Sequence, residues 1–427
     1  MNLIGRPSRL RGSVDIPGSK SHTIRAVAVA SLAEGTSRIE APLVSADTLA
    51  AVEAYRALGA TIDLQPGAWR VQGTGGQLRA PDNVIDVRNS GTSLRTAVGS
   101  AALLAKGRAV FTGDDQIRRR PIGPLAQSLN ELGASVASTR DNGCAPLVVG
   151  GRLHGGRTSI EAVTSQYLSS LLLNCPLADA TCEIDVPVLN ERPYVHITLG
   201  WLERSGIELE RDELQWFCVP GGQRYRPIDV RVPADFSSAT FFLAAGVIGD
   251  NDVVLKGLDF DDPQGDKAVV DYLRQMGAQI DVEPGSIRVR PGRLTGCELD
   301  LNATPDALPM LAVLGCFARG RTELVNVPQA RLKETDRIAV MRAELSKLGA
   351  RVTEQPDGLV IEQSNLHAAE LDGHHDHRVV MALAVASCAI DGETQIRTAE
   401  AVEVTFPTFV DCMNRLGADL RLEPDTR

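Results

Sequence analysis

The chain has 427 residues, enough for two or three ordinary domains, and its 43% hydrophobic and 23% charged residues are the balance of a soluble globular protein. A formal net charge of −10 argues against a nucleic-acid or anionic-membrane partner, which needs a basic face, but leaves room for a small anionic substrate held by a local cluster of Arg and Lys. Eight cysteines without a C-x-x-C pair, and an N-terminus (MNLIGRPSRLRGSVDI) without a signal-peptide core, predict free thiols in a reducing cytoplasm; no apolar run reaches the ~18 residues of a membrane span.

In chain order, a predicted helix ending in Leu-Gly-Ala or a close variant recurs six times. The endings are Leu58-Gly59-Ala60, Leu132-Gly133-Ala134, Ser205-Gly206-Ile207, Met276-Gly277-Ala278, Leu348-Gly349-Ala350 and Leu416-Gly417-Ala418. Each glycine reads as a helix C-cap. After most of them comes an alternating stretch, a turn and a second alternating stretch, most clearly Ala278–Val282, Glu283-Pro284-Gly285 and Ser286–Val289. Before each repeated helix lies a shorter one rich in small apolar residues, such as Ser93 to Leu104 and Ser238 to Val247. Each unit thus reads β-α-β-α-β-β. One unit is too small to bury both of its helices, so two globules of three units each are the economical packing. The predicted break is residues 1–15 with 233–427 in one domain and 16–232 in the other. The first strand, about Arg11 to Asp15, joins the C-terminal globule, and the double crossing makes a hinge.

The unusual polar residues fall at the starts of helices: Gly18 to Arg25, Arg88 to Arg95, Arg118 to Gly123, Thr164 to Tyr167, Glu191 to Tyr194, Asp235 to Ser238, Thr304 to Asp306, Lys333 to Arg337 and His374 to Arg378. A helix N-terminus offers unpaired N–H groups and partial positive charge, and Lys, Arg, Ser and Gly there make anion sites. Gathered on one cleft, Lys20, Arg25, Arg95, Arg120, Lys333, Arg337 and Arg378 imply a substrate with more than one phosphate or carboxylate. Taken singly, the Ser and Thr are plain N-caps, Arg118 and Arg119 a surface run, and Arg120 the residue before a proline at helix position N1. His374, His375 and His377 lack the carboxylate or cysteine company of a metal site, and no nucleotide-binding phosphate loop or nucleophile elbow is present.

These same segments resemble the EPSP synthase family of enolpyruvyl transferases along essentially the whole chain. Pro17-Gly18-Ser19-Lys20-Ser21 through Arg25 is similar to the family's first substrate motif, and Asn89-Ser90-Gly91-Thr92 with Arg95 to its N-x-G-T-x-x-R motif. Arg120-Pro121-Ile122, Thr164-Ser165-Gln166 and Pro305-Asp306-Ala307 resemble further segments. Lys333-Glu334-Thr335-Asp336-Arg337 and Asp376-His377-Arg378 match K-E-[ST]-D-R and D-H-R.

The resemblance implies an α/β fold of two globular domains, each of three β-α-β-α-β-β units in an inside-out α/β barrel with sixfold internal repeat, and an active site in the cleft between them. It implies transfer of the carboxyvinyl group of phosphoenolpyruvate to the 5-hydroxyl of shikimate 3-phosphate, with no metal or organic cofactor, by a cytoplasmic monomer. Asp306 would take the hydroxyl proton; Glu334 and Lys20 would handle the methylene proton and the leaving phosphate. Lys20, Gly91, Arg120, Gln166, Arg337 and Arg378 would hold phosphoenolpyruvate. Lys20, Ser21, Arg25, Thr164, Ser165, Gln166, Tyr194, Asp306 and Lys333 would hold the acceptor. Burying so many charges predicts an open form in the absence of substrate.

Four positions depart from the pattern. Val404 stands where many members carry a Lys, Gln329 where an Asn is expected, Thr164 where the first Ser of S-S-Q is expected, and Glu191 where a Ser usually helps hold the acceptor's phosphate. A carboxylate there repels a dianion unless Arg192 or another cation neutralises it. The alternative is a paralogue acting on another cyclic alcohol, perhaps one without the 3-phosphate. A related UDP-N-acetylglucosamine transferase would need a Cys between Asp114 and Arg120, and none is there. Joint retention of Asp306, Glu334 and Lys20 argues against a non-catalytic homologue.

Overall fold

A computed structural model describes residues 1–425. The chain forms two compact units, one of Met1–Pro17 with residues from 233 onward and one of Gly18–Val232. The first crossing lies two residues beyond the expected one. Ile16 N–H still pairs with the Lys256 carbonyl at 3.1 Å, and the Pro17 carbonyl accepts from Asp235 N–H at 2.9 Å, so the chain is held to the first unit through Pro17.

Six four-stranded sheets account for the repeat, three in each unit. Each contains one parallel pair and two antiparallel pairs, the outer of which is a hairpin in all but the sixth. In the second repeat Ile85–Asp86 runs parallel to Arg108–Thr112, which pairs antiparallel with Leu147–Gly151, itself antiparallel to Ala134–Ser138. The predicted hairpin forms as Gln279–Glu283 against Ser286–Arg290, turning through Pro284 and Gly285, whose φ of 74° suits glycine.

Two sheets borrow a strand from a distant part of the sequence. Arg11–Asp15 lies parallel to Asp252–Lys256 in the fourth repeat, and Asp229–Arg231 takes the matching place beside Thr36–Glu40 in the first. The sixth sheet is closed by the N-terminus: Asn2–Arg6 lies between Thr394–Arg397 and Asp419–Glu423, antiparallel to both.

Burial alternates along the strands, as in Gly156–Ala162, where Thr158, Ile160 and Ala162 are buried and Ser159 and Glu161 exposed. One face of each such strand meets the core and the other meets water. The helices facing the core are Lys20–Leu32, Gly91–Ala101 and Ser165–Asn174 in one unit and Phe236–Val247, Leu308–Phe317 and His377–Ser387 in the other. The last three touch one another pairwise; Gly91–Ala101 touches both of its companions. Phe236–Val247 and His377–Ser387 are buried at every residue, which only an almost wholly apolar helix tolerates.

The six outer helices end as expected. Gly59, Gly133, Gly206, Gly277, Gly349 and Gly417 all have φ between 77° and 115°. At Leu58-Gly59-Ala60 the Gly59 N–H bonds Arg56 and the Ala60 N–H bonds Tyr55, which satisfies carbonyls the helix end would leave open. The C-terminal core holds the aromatic cluster Phe241, Phe242, Phe406 and Phe409, with ring centroids 5.7 to 6.1 Å apart. In the N-terminal unit a satisfied polar chain crosses between core helices. Tyr55 Oη meets Ser100 Oγ at 2.9 Å, Ser100 Oγ donates to Asn174 Oδ1 at 2.8 Å, and Ser170 Oγ donates to the Arg95 carbonyl at 2.6 Å.

The segment leading into His377–Ser387 is pinned from below. Glu344, 1% exposed, accepts from both Lys347 Nζ and the Asp372 N–H and meets His374 Nε2 at 2.8 Å. The Glu344 hydrogen bond, only partly opposed by burial, raises the His374 pKa above its usual 6.5. Burial pushes the Glu344 carboxyl up, but His374 and Lys347 outweigh it and the net shift is below 4.5.

Two outcomes are expected. Deleting residues 1–6 removes an inner strand and strips Asp419–Glu423 of its only ladder. Thermal unfolding of the C-terminal unit should fall by several degrees, and an unchanged transition would show that this strand is dispensable. The His374–Glu344 pair stabilises the fold fully only between about pH 4.5 and 6.5. Its contribution fades as pH rises through the raised His374 pKa, and as pH falls through the lowered Glu344 pKa. Melting curves should therefore show a loss from pH 6 to 8 that is smaller in Glu344→Gln; equal slopes would exclude the linkage.

Candidate functional site

The C-terminal unit builds its polar cluster on Arg337, the first residue of the helix Arg337–Lys347, whose side chain is only 1% exposed. Its Nη1 donates to Asp306 Oδ1 at 2.7 Å, its Nη2 to Glu334 Oε2 at 2.5 Å, and its Nε to Asp376 Oδ2 at 2.8 Å. Burial opposes the guanidinium charge, but Asp376, Glu334 and Asp306 overcome it and raise the Arg337 pKa. Arg378 Nη2 meets the other oxygen of Asp306 at 2.9 Å. Asp306 therefore lies between two guanidiniums.

Local sequence explains these positions. Asp376 caps the helix His377–Ser387 by accepting from the Arg378 N–H, and so places Arg378 one step inside its first turn. Asp336 caps Arg337–Lys347 through Ala339 N–H and is itself held by Arg331. Asp306 sits in the single turn Pro305–Ala307 that leads into Leu308–Phe317. Lys333 ends the turn Pro328–Leu332 and is half-buried.

The N-terminal unit carries a second cluster, also at helix starts. Ser19 caps Lys20–Leu32, and Lys20 Nζ pairs with buried Asp47 at 3.1 Å. Arg25, one turn further, is buried. It donates through Nε to Thr198 Oγ1 at 2.8 Å, through Nη1 to the Ser21 carbonyl at 3.0 Å, and through Nη2 to Ser169 Oγ and the Tyr194 carbonyl, each at 3.2 Å. Burial lowers its pKa to about 10, although Tyr194 and Glu191 oppose the shift.

Ser90 caps Gly91–Ala101, which holds Arg95. Arg95 donates to Gln166 Oε1 at 2.9 Å and to the Pro121 carbonyl at 3.0 Å, and lies over the Tyr167 ring. Burial lowers its pKa, and nearby Arg120 adds to the effect. Asn89 ties the adjoining loop down through Asp114 and Gln116, both at 2.6 Å, and Arg120 Nη1 reaches back to the Asn89 carbonyl. A Cβ on Gly91 would lie 2.6 Å from Arg95 Nη1 and 2.9 Å from Arg120 Cζ. A side chain there would have to move two guanidiniums that approach the backbone. Two buried cations beside a helix N-terminus favour an anion.

Thr164 caps Ser165–Asn174, and one oxygen of Glu191 sits at the same helix end. Glu191 Oε2 accepts from Thr164 Oγ1 at 3.1 Å, Ser165 N–H at 3.1 Å and Ser165 Oγ at 2.8 Å. Arg192 is exposed, and the Glu191 charge acts on the buried guanidiniums of Arg25 and Arg95.

Several details differ from the sequence expectation. The helix after Arg120 begins at Gly123, so its first-turn proline is Pro124 and not Pro121. Gln329 is buried and donates to the Asn302 carbonyl at 3.0 Å. Val404 is half-buried at the end of the turn Ala399–Val404. His374 serves Glu344, and among the described residues no His, Cys, Asp or Glu cluster is arranged to hold a metal. Asp47 was not singled out in the sequence. As an acid in the first turn of Ala46–Ala57 it reads as a favourable dipole partner, and only the fold sets it against Lys20.

No helix among the described residues is long and apolar enough to cross a membrane. The family model for EPSP synthase (3-phosphoshikimate 1-carboxyvinyltransferase) matches residues 4–413. A protein of Acetivibrio thermocellus named 3-phosphoshikimate 1-carboxyvinyltransferase is 55% identical over 98% of this chain and 99% of its own, and one of Methanocella arvoryzae with that name is 46% identical over 96% and 97%. An EPSP synthase structure from Acinetobacter baumannii superposes with a TM-score of 0.83 at 28% identity, covering 99% of this chain and all of that one. The enolpyruvyl transferase NikO from Streptomyces tendae, at 21% identity and a TM-score of 0.79 over 98% of each chain, shares the fold. With its motifs at helix starts and a match along nearly its whole length, the chain belongs to the EPSP synthase family.

Proposed function

We propose that this protein transfers the enolpyruvyl group of phosphoenolpyruvate to the 5-hydroxyl of shikimate 3-phosphate and releases phosphate, acting as a cytoplasmic monomer. The observation that carries the reading is the buried Arg337, which holds Asp306, Glu334 and Asp376 together while Arg378 grips Asp306 from its other side. Family membership and the relatives' names support the substrates.

In this reading residues of both units hold the substrates. Arg337 and Arg378, with Arg120, Lys20, Gly91 and Gln166, take the phosphate and carboxylate of phosphoenolpyruvate. Ser21, Arg25, Thr164, Ser165, Gln166, Tyr194 and Lys333 hold the acceptor, with Lys20 and Asp306 at the reacting end. Without substrate both oxygens of Asp306 are occupied by guanidinium donors. A substrate carboxylate that takes over Arg378 frees one of them to accept the proton of the attacking hydroxyl. That proton leaves as the hydroxyl oxygen bonds to C2 of phosphoenolpyruvate, while C3 takes a proton from the Lys20 ammonium by way of the Glu334 carboxylate. The tetrahedral adduct then loses phosphate as the new methyl group returns a proton, which restores the double bond. Each transfer needs a group within hydrogen-bond reach of the reacting atom, and the Arg337 cluster supplies two such carboxylates at fixed positions.

A second reading, transfer to a cyclic alcohol without the phosphate, is favoured by one observation, the carboxylate of Glu191 at the end of Ser165–Asn174.

Phosphate release from phosphoenolpyruvate, measured in parallel with shikimate 3-phosphate and with unphosphorylated shikimate, separates the two. Release that depends on shikimate 3-phosphate is expected. Release with shikimate alone would transfer the assignment to the second reading. Asp306→Asn keeps hydrogen-bonding atoms near Arg337 but cannot act as the base. It should lower kcat by about 10²- to 10⁴-fold, the range for loss of a general base; a kcat within threefold of wild type would remove Asp306 from the mechanism.

A further inference from the structure

The proposed reaction gives Glu191 no role, and its setting is unusual in three respects. It is the N-cap of Arg192–Arg204, yet its side chain makes no capping bond to that helix. Its backbone is left-handed, with φ 57° and ψ 40°, a conformation that non-glycine residues hold only when their surroundings impose it. Its carboxylate, on a residue 2% exposed, reaches instead to the start of the neighbouring helix Ser165–Asn174. Thr164 caps that helix through the Gln166 N–H at 3.5 Å, and Glu191 takes the Ser165 N–H beside it.

Three donors converge there on a single oxygen: the Thr164 hydroxyl, the Ser165 hydroxyl and the Ser165 N–H. Arg25 and Arg95 lie close enough for their titration to register the charge. Two hydroxyls and a helix-end N–H form a donor set for an oxyanion, with the charges of Arg25 and Arg95 nearby, and the chain's own carboxylate fills it.

We infer that Glu191 is a displaceable internal ligand: its carboxylate occupies the seat of the acceptor's phosphate and must leave as the acceptor binds, which makes Glu191 the residue that sets affinity for a phosphorylated acceptor. The inference rests on the proposed acceptor. Its physical basis is competition. A dianion entering this seat gains the donors only after Glu191 gives them up, and a carboxylate that stays nearby repels it. Phosphoenolpyruvate, held by other groups, escapes that competition.

The test compares wild type with Glu191→Ser and Glu191→Gln in the full chain, each checked for cooperative thermal unfolding. Calorimetric binding of shikimate 3-phosphate is measured together with KM for both substrates. Glu191→Ser should lower the dissociation constant and KM for shikimate 3-phosphate by about tenfold, the order expected on removing one nearby like charge, while KM for phosphoenolpyruvate stays within twofold. Glu191→Gln, which keeps the shape without the charge, should fall between. Unchanged or weaker acceptor binding in a folded Glu191→Ser protein would overturn the inference, because a merely structural carboxylate or a direct ligand behaves that way. Should the wild type show no turnover with shikimate 3-phosphate, the proposed function fails by itself. Binding gained in Glu191→Ser would still support the displaceable carboxylate, and no binding in either protein would overturn it.

Discussion

The buried guanidinium of Arg337 imposes the condition that the rest of the polar structure meets. A cation excluded from water costs several kcal/mol unless its donors are matched by acceptors, and this one is matched by three carboxylates from three separate segments. Asp306 precedes one core helix, Asp376 caps another, and Glu334 lies three residues before Arg337 itself. The ion cluster therefore fixes the relation of the segments as well as the charges. Removing any one member would leave the others buried with an incomplete set.

That condition explains the positions of the helices. Core helices that are apolar all round cannot carry charge along their length, so the polar residues of the C-terminal cluster are confined to helix starts and the turns before them. The N-terminal unit follows the same rule less strictly, since Arg25 and Arg95 lie one turn inside their helices. Both are buried, and both end on carbonyl or side-chain oxygens of neighbouring segments. The glycines serve the same arrangement. Gly91 lets two guanidiniums press on the backbone, and the left-handed glycines close each outer helix so that the chain can return to its sheet.

Much of this was legible in the sequence because local rules determine it. The six helix-ending glycines, four of them in Leu-Gly-Ala, are a backbone requirement repeated at similar spacing, and the hairpin at Pro284-Gly285 is turn chemistry. The core helices could be placed from their runs of small apolar residues. The missing parts are those set by long-range pairing. Asn2–Arg6 pairs with strands nearly 400 residues away, and Asp229–Arg231 crosses back to the first repeat, with no local signal for either. The site follows the same division. Lys20, Arg120, Arg337 and Arg378 stand out as cations at helix starts, whereas Asp47, an ordinary first-turn acid, becomes significant only by facing Lys20. Glu191 was visible as a misfit, but its reach to a different helix depends on a left-handed backbone that nothing in Asn190-Glu191-Arg192 announces.

A common feature recurs in both units: three of the cations assigned to anionic substrates, Lys20, Arg337 and Arg378, already have carboxylate partners. Lys20 has Asp47, Arg337 has three acids, Arg378 has Asp306, and the donors at Ser165 have Glu191. Substrate binding in such a protein is an exchange, and its free energy is the difference between two well-made sets of contacts. An internal carboxylate is held at high effective concentration, so a monoanion that meets one cation gains little by replacing it. A ligand with a phosphate and a carboxylate at the right separation replaces several at once and gains from each. The acidic balance of the chain is thus compatible with binding polyanions, because its acids keep the cations ordered and desolvated until a ligand with enough charge displaces them. Selectivity for multiply charged substrates then follows from the counterions as much as from the cations.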